Sequence, residues 1–144
     1  MAPRERKPAT AEEFREVLDR ALAELDADER LGPLLRAAGL AVRIELTDLN
    51  LVVRITTSEA EGHHLRWRFE DGGEPAKLEL RMDSATANAY LQGKESLAIG
   101  LARRKVRCSG SSRVALFHLP ALGLIVEPYR RLVRERFPHL ALTP

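Results

Sequence analysis

Residues 78–110 read LELRMDSATANAYLQGKESLAIGLARRKVRCSG, and this stretch decides the predicted fold. Leu78–Met82 alternates apolar and charged residues, a period-two pattern that is typical of a half-buried strand. Asp83 can cap the helix that follows by accepting the free backbone N–H groups of its first turn. Gly93 lies where a left-handed residue ordinarily ends a helix. The stretch therefore predicts a strand, two short helices and a closing strand that ends at Gly110.

The clearest helical periodicity lies near the N-terminus. Thr10 and Glu13 match a capping box, which satisfies free backbone donors at the start of a helix. Behind this box, apolar residues recur at helical spacing: Phe14, Val17, Leu18, Ala21, Leu22 and Leu25. We predict one helix over about 11–26 and a second, shorter helix over about 29–38, which Gly39 ends.

Three alternating segments between residues 42 and 69 predict strands that are joined by short turns. Turn residues at Asp48, at 58–62 and at 71–73 separate these strands from one another and from the stretch that follows. Links this short predict an antiparallel meander. The two helices between the fourth and fifth strands allow a crossover there, so we predict a mixed, five-stranded sheet in an α+β domain.

The 144 residues suit one domain, and the composition is that of an ordinary globular protein, with 31% charged and 44% hydrophobic residues. We interpret residues 1–9, which are charged and contain two prolines, as a flexible arm, and residues 10–144 as a single domain. No apolar run approaches the ~20 residues of a membrane span, and residues 1–8 have no apolar core typical of a secretory signal. We therefore expect a cytoplasmic protein, and its bias towards arginine, alanine and leucine suggests a bacterial source.

No residue pattern predicts an enzyme. His63 and His64 are adjacent, so in an extended segment their side chains point to opposite faces, and we interpret them as a solvated hairpin turn rather than a metal site. His118 and His139 are isolated and are interpreted as surface or packing residues. Cys108 has no paired histidine, so we interpret it as a small buried hydrophobic residue. We predict no catalytic residue, no metal site and no cofactor.

The 23 basic residues are mixed with 21 acidic ones and only 5% of residues are aromatic, which disfavours a nucleic-acid-binding protein. Seven basic residues nevertheless occupy the outward phase of successive predicted strands: Arg43, Arg54, Arg66, Arg68, Lys77, Arg81 and Arg107. Glu45 and Glu79 oppose them in that phase. Two interpretations remain open, a solvated face with cross-strand ion pairs or a basic surface that attracts anionic lipid headgroups, CoA phosphates or an acidic partner.

Nine packing and turn residues carry a resemblance to a known family: Met82, Asp83, Tyr90, Leu91, Gly93, Lys94, Leu101, Val106 and Gly110. With them, the order of strand, Met-Asp, small-residue helix, Leu-Gln-Gly-Lys, apolar helix, short strand and Gly resembles the sterol carrier protein type-2 domain family, the non-specific lipid-transfer proteins. The resemblance covers roughly residues 18–122. It implies helices over one face of a five-stranded mixed sheet, with an apolar cavity between them that takes a fatty acid, a fatty acyl-CoA ester or a sterol-like lipid.

Thirteen apolar residues are the candidates for the lining of such a cavity: Leu78, Leu80, Met82, Tyr90, Leu91, Leu97, Leu101, Val106, Phe117, Leu122, Leu124, Ile125 and Tyr129. The residues alone favour a solid core, whereas the resemblance puts a cavity there. The apolar helical segment over about 120–137 is a lid over the cavity, a part of the core or an interface, and its two prolines suggest that it hinges at both ends.

The leading function is the non-catalytic binding and carrying of an apolar ligand in this cavity. The alternative is an interaction or dimerisation module of a lipid-pathway or other enzyme, with the cavity filled by the C-terminal segment. The expected partners are an apolar small molecule or lipid, an anionic membrane contacted through the basic sheet face, or a second copy of the chain, and not a nucleic acid.

Overall fold

The computed structural model describes residues 10–70, 72 and 75–142, without the side chains at positions 98, 112, 116 and 117. The predicted N-terminal arm and most of the predicted turn at 71–73 lie outside the described residues. The same holds for the side chain of Phe117, one of the thirteen candidates.

Two helices begin the described part of the chain. Helix α1 (Ala11–Ala27) starts where the sequence predicts, because Thr10 Oγ1 accepts the backbone N–H of Glu13 at 3.2 Å. Helix α2 (Leu31–Ala37) follows Asp28, whose carboxylate accepts two backbone N–H groups at the start of that helix, both at 2.8 Å. Both predicted helices are therefore present, and the second is about a turn shorter than expected.

The five strands form one mixed sheet in the order β3-β2-β1-β4-β5. They are β1 (Ala41–Leu46), β2 (Leu51–Thr57), β3 (Leu65–Arg68), β4 (Leu78–Met82) and β5 (Arg107–Ser109). Strands β1 and β4 pair in parallel, and the other three pairs are antiparallel. The predicted meander of β1, β2 and β3 and the mixed character of the sheet are confirmed.

The predicted position of the crossover is wrong. Strands β4 and β5, which two helices separate in sequence, lie side by side and antiparallel. The parallel pair is instead β1 and β4, so the chain crosses the sheet between β3 and β4. The physical reason is that the two short helices lead in succession back to the edge of β4, where the chain reverses direction without crossing another strand.

The helices between β4 and β5 follow the sequence prediction closely. Asp83 accepts the backbone N–H of Thr86 at 2.8 Å and so caps helix α3 (Ser84–Leu91). Asp48 adds a second carboxylate at this point, because it accepts hydrogen bonds from the backbone N–H and the hydroxyl of Ser84 at 2.8 and 2.6 Å. Gly93 has a φ of 75° and helix α4 (Leu97–Ala102) follows it, capped by the hydroxyl of Ser96.

The C-terminal segment consists of helix α5 (Ser112–Leu122), a 3₁₀ turn (Gly123–Ile125) and helix α6 (Val126–Arg136). The first of the two prolines in the segment, Pro120, does not interrupt the helix, because α5 continues through it. Pro120 lacks the N–H of one i to i−4 helical bond, and α5 ends two residues after it. Pro128 lies in the first turn of α6, where a backbone N–H has no helical acceptor in any case.

Helix α6 packs as part of the core. Tyr129 and Val133 are fully buried, and the ring centroid of Tyr129 lies 6.4 Å from that of Phe14 on α1. The Tyr129 hydroxyl donates a hydrogen bond to Asn88 Oδ1 on α3 at 3.1 Å. Of the three interpretations of the segment, these contacts favour core for α6, and the hinge at Pro128 stays a prediction.

The helices of the described residues cover one face of the sheet and leave the other face without a helix. The inward phase of the strands contains the buried residues that meet the helices, and the outward phase carries the arginines. The α+β class and the five-stranded mixed sheet covered on one face are therefore confirmed. None of the helices in the described part of the chain is long and apolar enough to pass through a bilayer.

Candidate ligand-binding cavity

A small apolar cavity of about 40 Å³ lies between the inner face of the sheet and the helices. Strands β1, β2 and β4 form its floor. Leu18 on α1, the C-terminal half of α3 and the end of α5 with the 3₁₀ turn form its walls. This small space lies on the helix-covered face of the sheet, and whether it takes a ligand stays a prediction.

The structure brings six of the thirteen candidates together around this cavity: Leu80, Met82, Tyr90, Leu91, Leu122 and Ile125. Six others lie elsewhere: Leu78, Leu97, Leu101, Val106, Leu124 and Tyr129. Leu97 is buried on α4, and Val106 is buried just before β5. Leu124 lines a separate outer groove between α1, α2 and α6. Whether a ligand contacts any of them stays a prediction.

Seven lining residues were not among the candidates: Leu18, Ile44, Leu46, Leu51, Val53, Ile55 and Ala87. The signal that could have found most of them was present in the sequence. The inward phase of β1 and β2 is as apolar as that of β4, and Leu18 belongs to the apolar stripe of α1. The resemblance was strongest over residues 78–110 and drew the prediction to that stretch.

The size and chemistry of the cavity limit what it can do. Ligand pockets ordinarily have about 300–1,000 Å³, so this cavity is closed in the state that the structure describes and takes an apolar ligand only if a wall moves. Among the lining residues, Tyr90 alone has a polar side-chain atom, and burial raises the pKa of its hydroxyl. Such a lining can bind an apolar molecule but offers no acid, base or nucleophile for chemistry at neutral pH.

Gln92 fastens the C-terminal end of the chain to α3. Its side-chain Nε2 donates to Leu140 O at 2.9 Å and to Asn88 Oδ1 at 2.6 Å, and its Oε1 accepts the backbone N–H of Leu142 at 2.9 Å. Asn88 Nδ2 also donates to Leu140 O at 3.1 Å. Gln92 is 2% exposed, so these bonds satisfy a buried amide. The Leu-Gln-Gly-Lys motif gave no sign of this role, because its acceptors and donors lie about fifty residues away.

Asp26 at the end of α1 organises the turn that contains His63 and His64. Its carboxylate accepts the backbone N–H groups of His64 and Leu65 at 2.6 and 2.8 Å, and His63 Nδ1 lies 2.7 Å from Oδ2. Burial by itself raises the pKa of Asp26, but the hydrogen bonds from His63, His64 and Leu65 outweigh it and lower the pKa. The interpretation as a solvated turn is wrong for His64, which is half-buried.

No cluster of three or more potential metal ligands occurs among residues 10–70, 72 and 75–142. His139 Nε2 lies 2.6 Å from Glu13 Oε2, so a carboxylate on α1 partners it. Cys108 is half-buried on the inward side of β5, and burial raises the pKa of its thiol. A thiol in this state is a poor nucleophile, in agreement with its interpretation as a packing residue.

His118 on α5 is a packing residue with one hydrogen bond. It is 4% exposed, and its Nε2 accepts the backbone N–H of Ala41 at 3.2 Å, which ties α5 to the start of β1. The proton of the neutral ring therefore lies on Nδ1, which has no hydrogen-bond partner in the described part of the chain. Burial, followed by the nearby charge of Lys77, lowers the pKa of His118, so the ring is neutral at pH 7.

The outer face of the sheet is as basic as the sequence predicts. Six arginines of the strands share it: Arg43, Arg54, Arg66, Arg68, Arg81 and Arg107. Glu45 is within 2.9 Å of Arg43 and 3.1 Å of Arg81, so part of this charge is paired. Two pairs of arginines, Arg54 with Arg68 and Arg81 with Arg107, lie directly opposite each other on neighbouring strands, an arrangement that repulsion disfavours.

No family model matches the sequence, and neither does any curated protein. Solved structures do match. The UbiJ-SCP2 ubiquinone synthesis protein matches over 77% of this chain and 88% of its own, with 13% identity and a TM-score of 0.57. Sterol carrier protein 2 from Yarrowia lipolytica, in its apo form, matches over 79% of this chain and 90% of its own, with 10% identity and a TM-score of 0.52.

The sec-alkylsulfatase Pisa1 from Pseudomonas sp. matches over 68% of this chain, with 17% identity and a TM-score of 0.53, and this chain spans 15% of its length. At these identities the likeness establishes the fold. The chain therefore has an SCP2-like fold, as the residues in 78–110 indicate.

Proposed function

We propose that this protein binds and carries an apolar ligand, such as a fatty acid, a fatty acyl-CoA ester or a sterol-like lipid, between its sheet and its helices. The observation that carries the proposal is the cavity over β1, β2 and β4, whose lining is apolar except for the Tyr90 hydroxyl. An apolar molecule that enters it gains about 25 cal/mol for each Å² of apolar surface removed from water, less the cost of ordering. The protein acts without covalent chemistry.

A ligand enters by moving the wall that Leu122 and Ile125 provide. These two residues lie on either side of Gly123, whose missing Cβ would point into open space at the outer groove. Pro120 removes one backbone hydrogen bond just before the 3₁₀ turn. The lid is therefore the short stretch 120–125, and α6 stays in the core when it opens.

A second candidate is an interaction module whose cavity stays filled. Two observations favour it. The cavity has a volume of only about 40 Å³, and two of its lining residues, Leu122 and Ile125, belong to the C-terminal segment, so this segment already fills part of the space between sheet and helices. The match to a small part of a much longer sulfatase chain also fits a fold that serves as a module of another protein.

Native mass spectrometry of the freshly purified protein separates the two candidates. A co-purified lipid supports the carrier, and an empty dimer supports the module. The lid is tested by measuring the exchange rate of a fluorescent fatty acid in two variants. Leu122→Ala changes a residue that lines the cavity, and Leu124→Ala is the control, because Leu124 lines the outer groove.

We expect Leu122→Ala to change the rate of fatty-acid exchange by about tenfold, since it deletes a wall of the cavity, and Leu124→Ala to leave the rate within about twofold. Equal rates in both variants and the parent would contradict the assignment of 120–125 as the lid. Failure of any fatty acid, acyl-CoA or sterol to bind would contradict the carrier function itself.

A further inference from the structure

Exposed basic residues surround helix α4, at the end of the molecule where β4 and β5 meet. We name the group of Lys94, Ile99, Arg103, Arg104 and Lys105 the α4 patch. Its four basic side chains are exposed, and Ile99 is 50% exposed, which is unusual for a large apolar residue in this structure. Between positions 93 and 107 the sequence contains one acidic residue, Glu95, whose carboxylate lies 3.9 Å from Lys105 Nζ, so three of the four basic residues account for the excess positive charge. The patch therefore combines concentrated positive charge with an apolar side chain in water.

The patch is a folded surface and not a loose loop. The backbone N–H groups of Lys105 and Val106 both donate to Gly100 O, at 2.9 and 3.1 Å. Gly100 lies so close to Val106 that an added Cβ would come within 2.8 Å of it, which fixes the inner side of α4. Ile99 on α4 and Arg103, which directly follows the end of α4, are about one turn apart, and both are exposed.

Arg104 has a backbone conformation that glycine adopts more easily than arginine. Its φ is 60°, a left-handed conformation that glycine adopts freely and that arginine adopts only at a cost. It follows the end of α4, a position where glycine is preferred. A glycine would therefore suit the backbone better, and the arginine contributes charge to the patch instead.

We propose that the α4 patch docks the protein on a lipid bilayer that contains anionic headgroups. Lys94, Arg103, Arg104 and Lys105 complement the negative surface, and Ile99 enters the boundary between headgroups and acyl chains. The aromatic residues that stack on nucleic-acid bases are absent from the patch, which leaves a diffuse negative surface as the partner that fits it best.

The position of the patch favours it over the basic sheet face as the membrane contact. Helix α4 directly follows α3, whose Ala87, Tyr90 and Leu91 line the cavity. Docking through the patch brings that wall next to the bilayer, whereas docking through the outer sheet face leaves the whole sheet between bilayer and cavity. In this respect the inference rests on the proposed function, because it assigns the route by which the apolar ligand is loaded.

Binding to vesicles tests the assignment without any ligand. Vesicles of phosphatidylcholine, with and without phosphatidylserine, are sedimented with the parent and with two charge-matched variants. Arg103→Gln with Arg104→Gly removes two charges from the patch. Arg66→Gln with Arg68→Gln removes two charges from the outer sheet face, where neither arginine forms an ion pair with a described residue.

Each basic residue at an anionic surface contributes about fivefold in affinity, so we expect the patch variant to bind phosphatidylserine vesicles about 25-fold more weakly and the control to stay within about twofold. Since Arg104→Gly also relieves backbone strain, a loss of stability does not explain the weaker binding. Loss of binding in the sheet-face variant and not in the patch variant would overturn the proposal. So would equal binding to vesicles with and without phosphatidylserine.

A fluorescent label tests the insertion of Ile99. The protein has one cysteine, so Cys108→Ser provides a background in which Ile99→Cys or Arg66→Cys takes an environment-sensitive dye. We expect a blue shift of the dye at position 99, and not at position 66, when phosphatidylserine vesicles are added. A shift at position 66 alone, or at neither position, would contradict docking through the patch. Both assays can fail while native mass spectrometry still finds a lipid, so they are independent of the carrier function.

Discussion

Leucine in place of Ala87 tests whether the cavity is real and whether the ligand occupies it. Ala87 lies on α3, is 2% exposed and lines the cavity. Alanine and leucine have similar helix propensities, so the substitution does not disturb α3 by itself. It adds three carbon atoms that point into the empty space.

The expected effect on stability is a gain. Three buried carbon groups contribute up to about 2.4 kcal/mol at about 0.8 kcal/mol each, and fixing a leucine side chain costs about 0.5–1 kcal/mol. Fitting them into a cavity of about 40 Å³ also requires small shifts of its walls. We therefore expect the free energy of unfolding to rise by about 1 kcal/mol, within the range of other cavity-filling substitutions.

Urea denaturation and the titration of a fluorescent fatty acid measure the two consequences. The matched control is Ala21→Leu, because Ala21 is fully buried on α1 but does not line the cavity. Its added carbons have no space, so we expect a loss of about 1–3 kcal/mol. Ala87→Leu should weaken fatty-acid binding by about tenfold or more, which is 1.4 kcal/mol, whereas Ala21→Leu should leave the affinity of the folded protein within about twofold.

Two outcomes would refute this reasoning. If Ala87→Leu destabilises the protein as much as Ala21→Leu, the space above the sheet is a filled core. If Ala87→Leu stabilises the protein and the affinity for the fatty acid does not change, the ligand binds elsewhere. Ala87→Leu is expected to raise the free energy of unfolding and to weaken fatty-acid binding. Because the variant is expected to be more stable than the parent, unfolding would not explain the weaker binding.

Four further predictions concern the surroundings of the cavity. Gln92→Ala should lower the free energy of unfolding by about 1–3 kcal/mol in urea denaturation, because it removes the acceptor of the Leu142 N–H and one of the two side-chain donors to the carbonyl of Leu140. Asp26→Asn should lower the free energy of unfolding by about 2–4 kcal/mol at pH 7. The pKa of Asp26 in the folded parent lies below its ordinary 3.8, so the stabilisation by this carboxylate is present above pH 3.8 and is lost as the pH falls through the folded pKa. Thermal melts at acid pH should show this loss in the parent and not in Asp26→Asn. The folded pKa of His118 lies below its ordinary 6.5, so the parent should lose stability as the pH falls below 6.5, and His118→Gln should remove this slope; an unchanged slope would contradict the assignment. Cys108→Ser should leave fatty-acid affinity within about threefold, because a thiol whose pKa is raised has no chemical part in binding, and a larger loss in a folded variant would contradict its packing role.

Local features were predictable because each depends on residues a few positions apart. The caps at Thr10 and Asp83 and the stop at Gly93 join groups within one turn of backbone, and the alternation along β1, β2 and β4 fixes which side chains share a face. The arginines of the outer face followed from that alternation alone. The effect of Pro120 was misjudged, because α5 continues through this residue although one helical hydrogen bond is missing, and tertiary context can override such a local preference.

The sequence by itself determined the order of the elements, the inward and outward phase of each strand and the resemblance that led to the fold. The tertiary structure alone decided which inward-facing residues meet at the cavity, how small that cavity is and where the chain crosses the sheet. It also decided that Asp26 accepts from His64, 38 residues away, and that Gln92 binds Leu142, 50 residues away. The physical reason is that a cap or a strand phase is fixed by backbone geometry over a few residues, whereas these contacts exist only after every layer has packed at once.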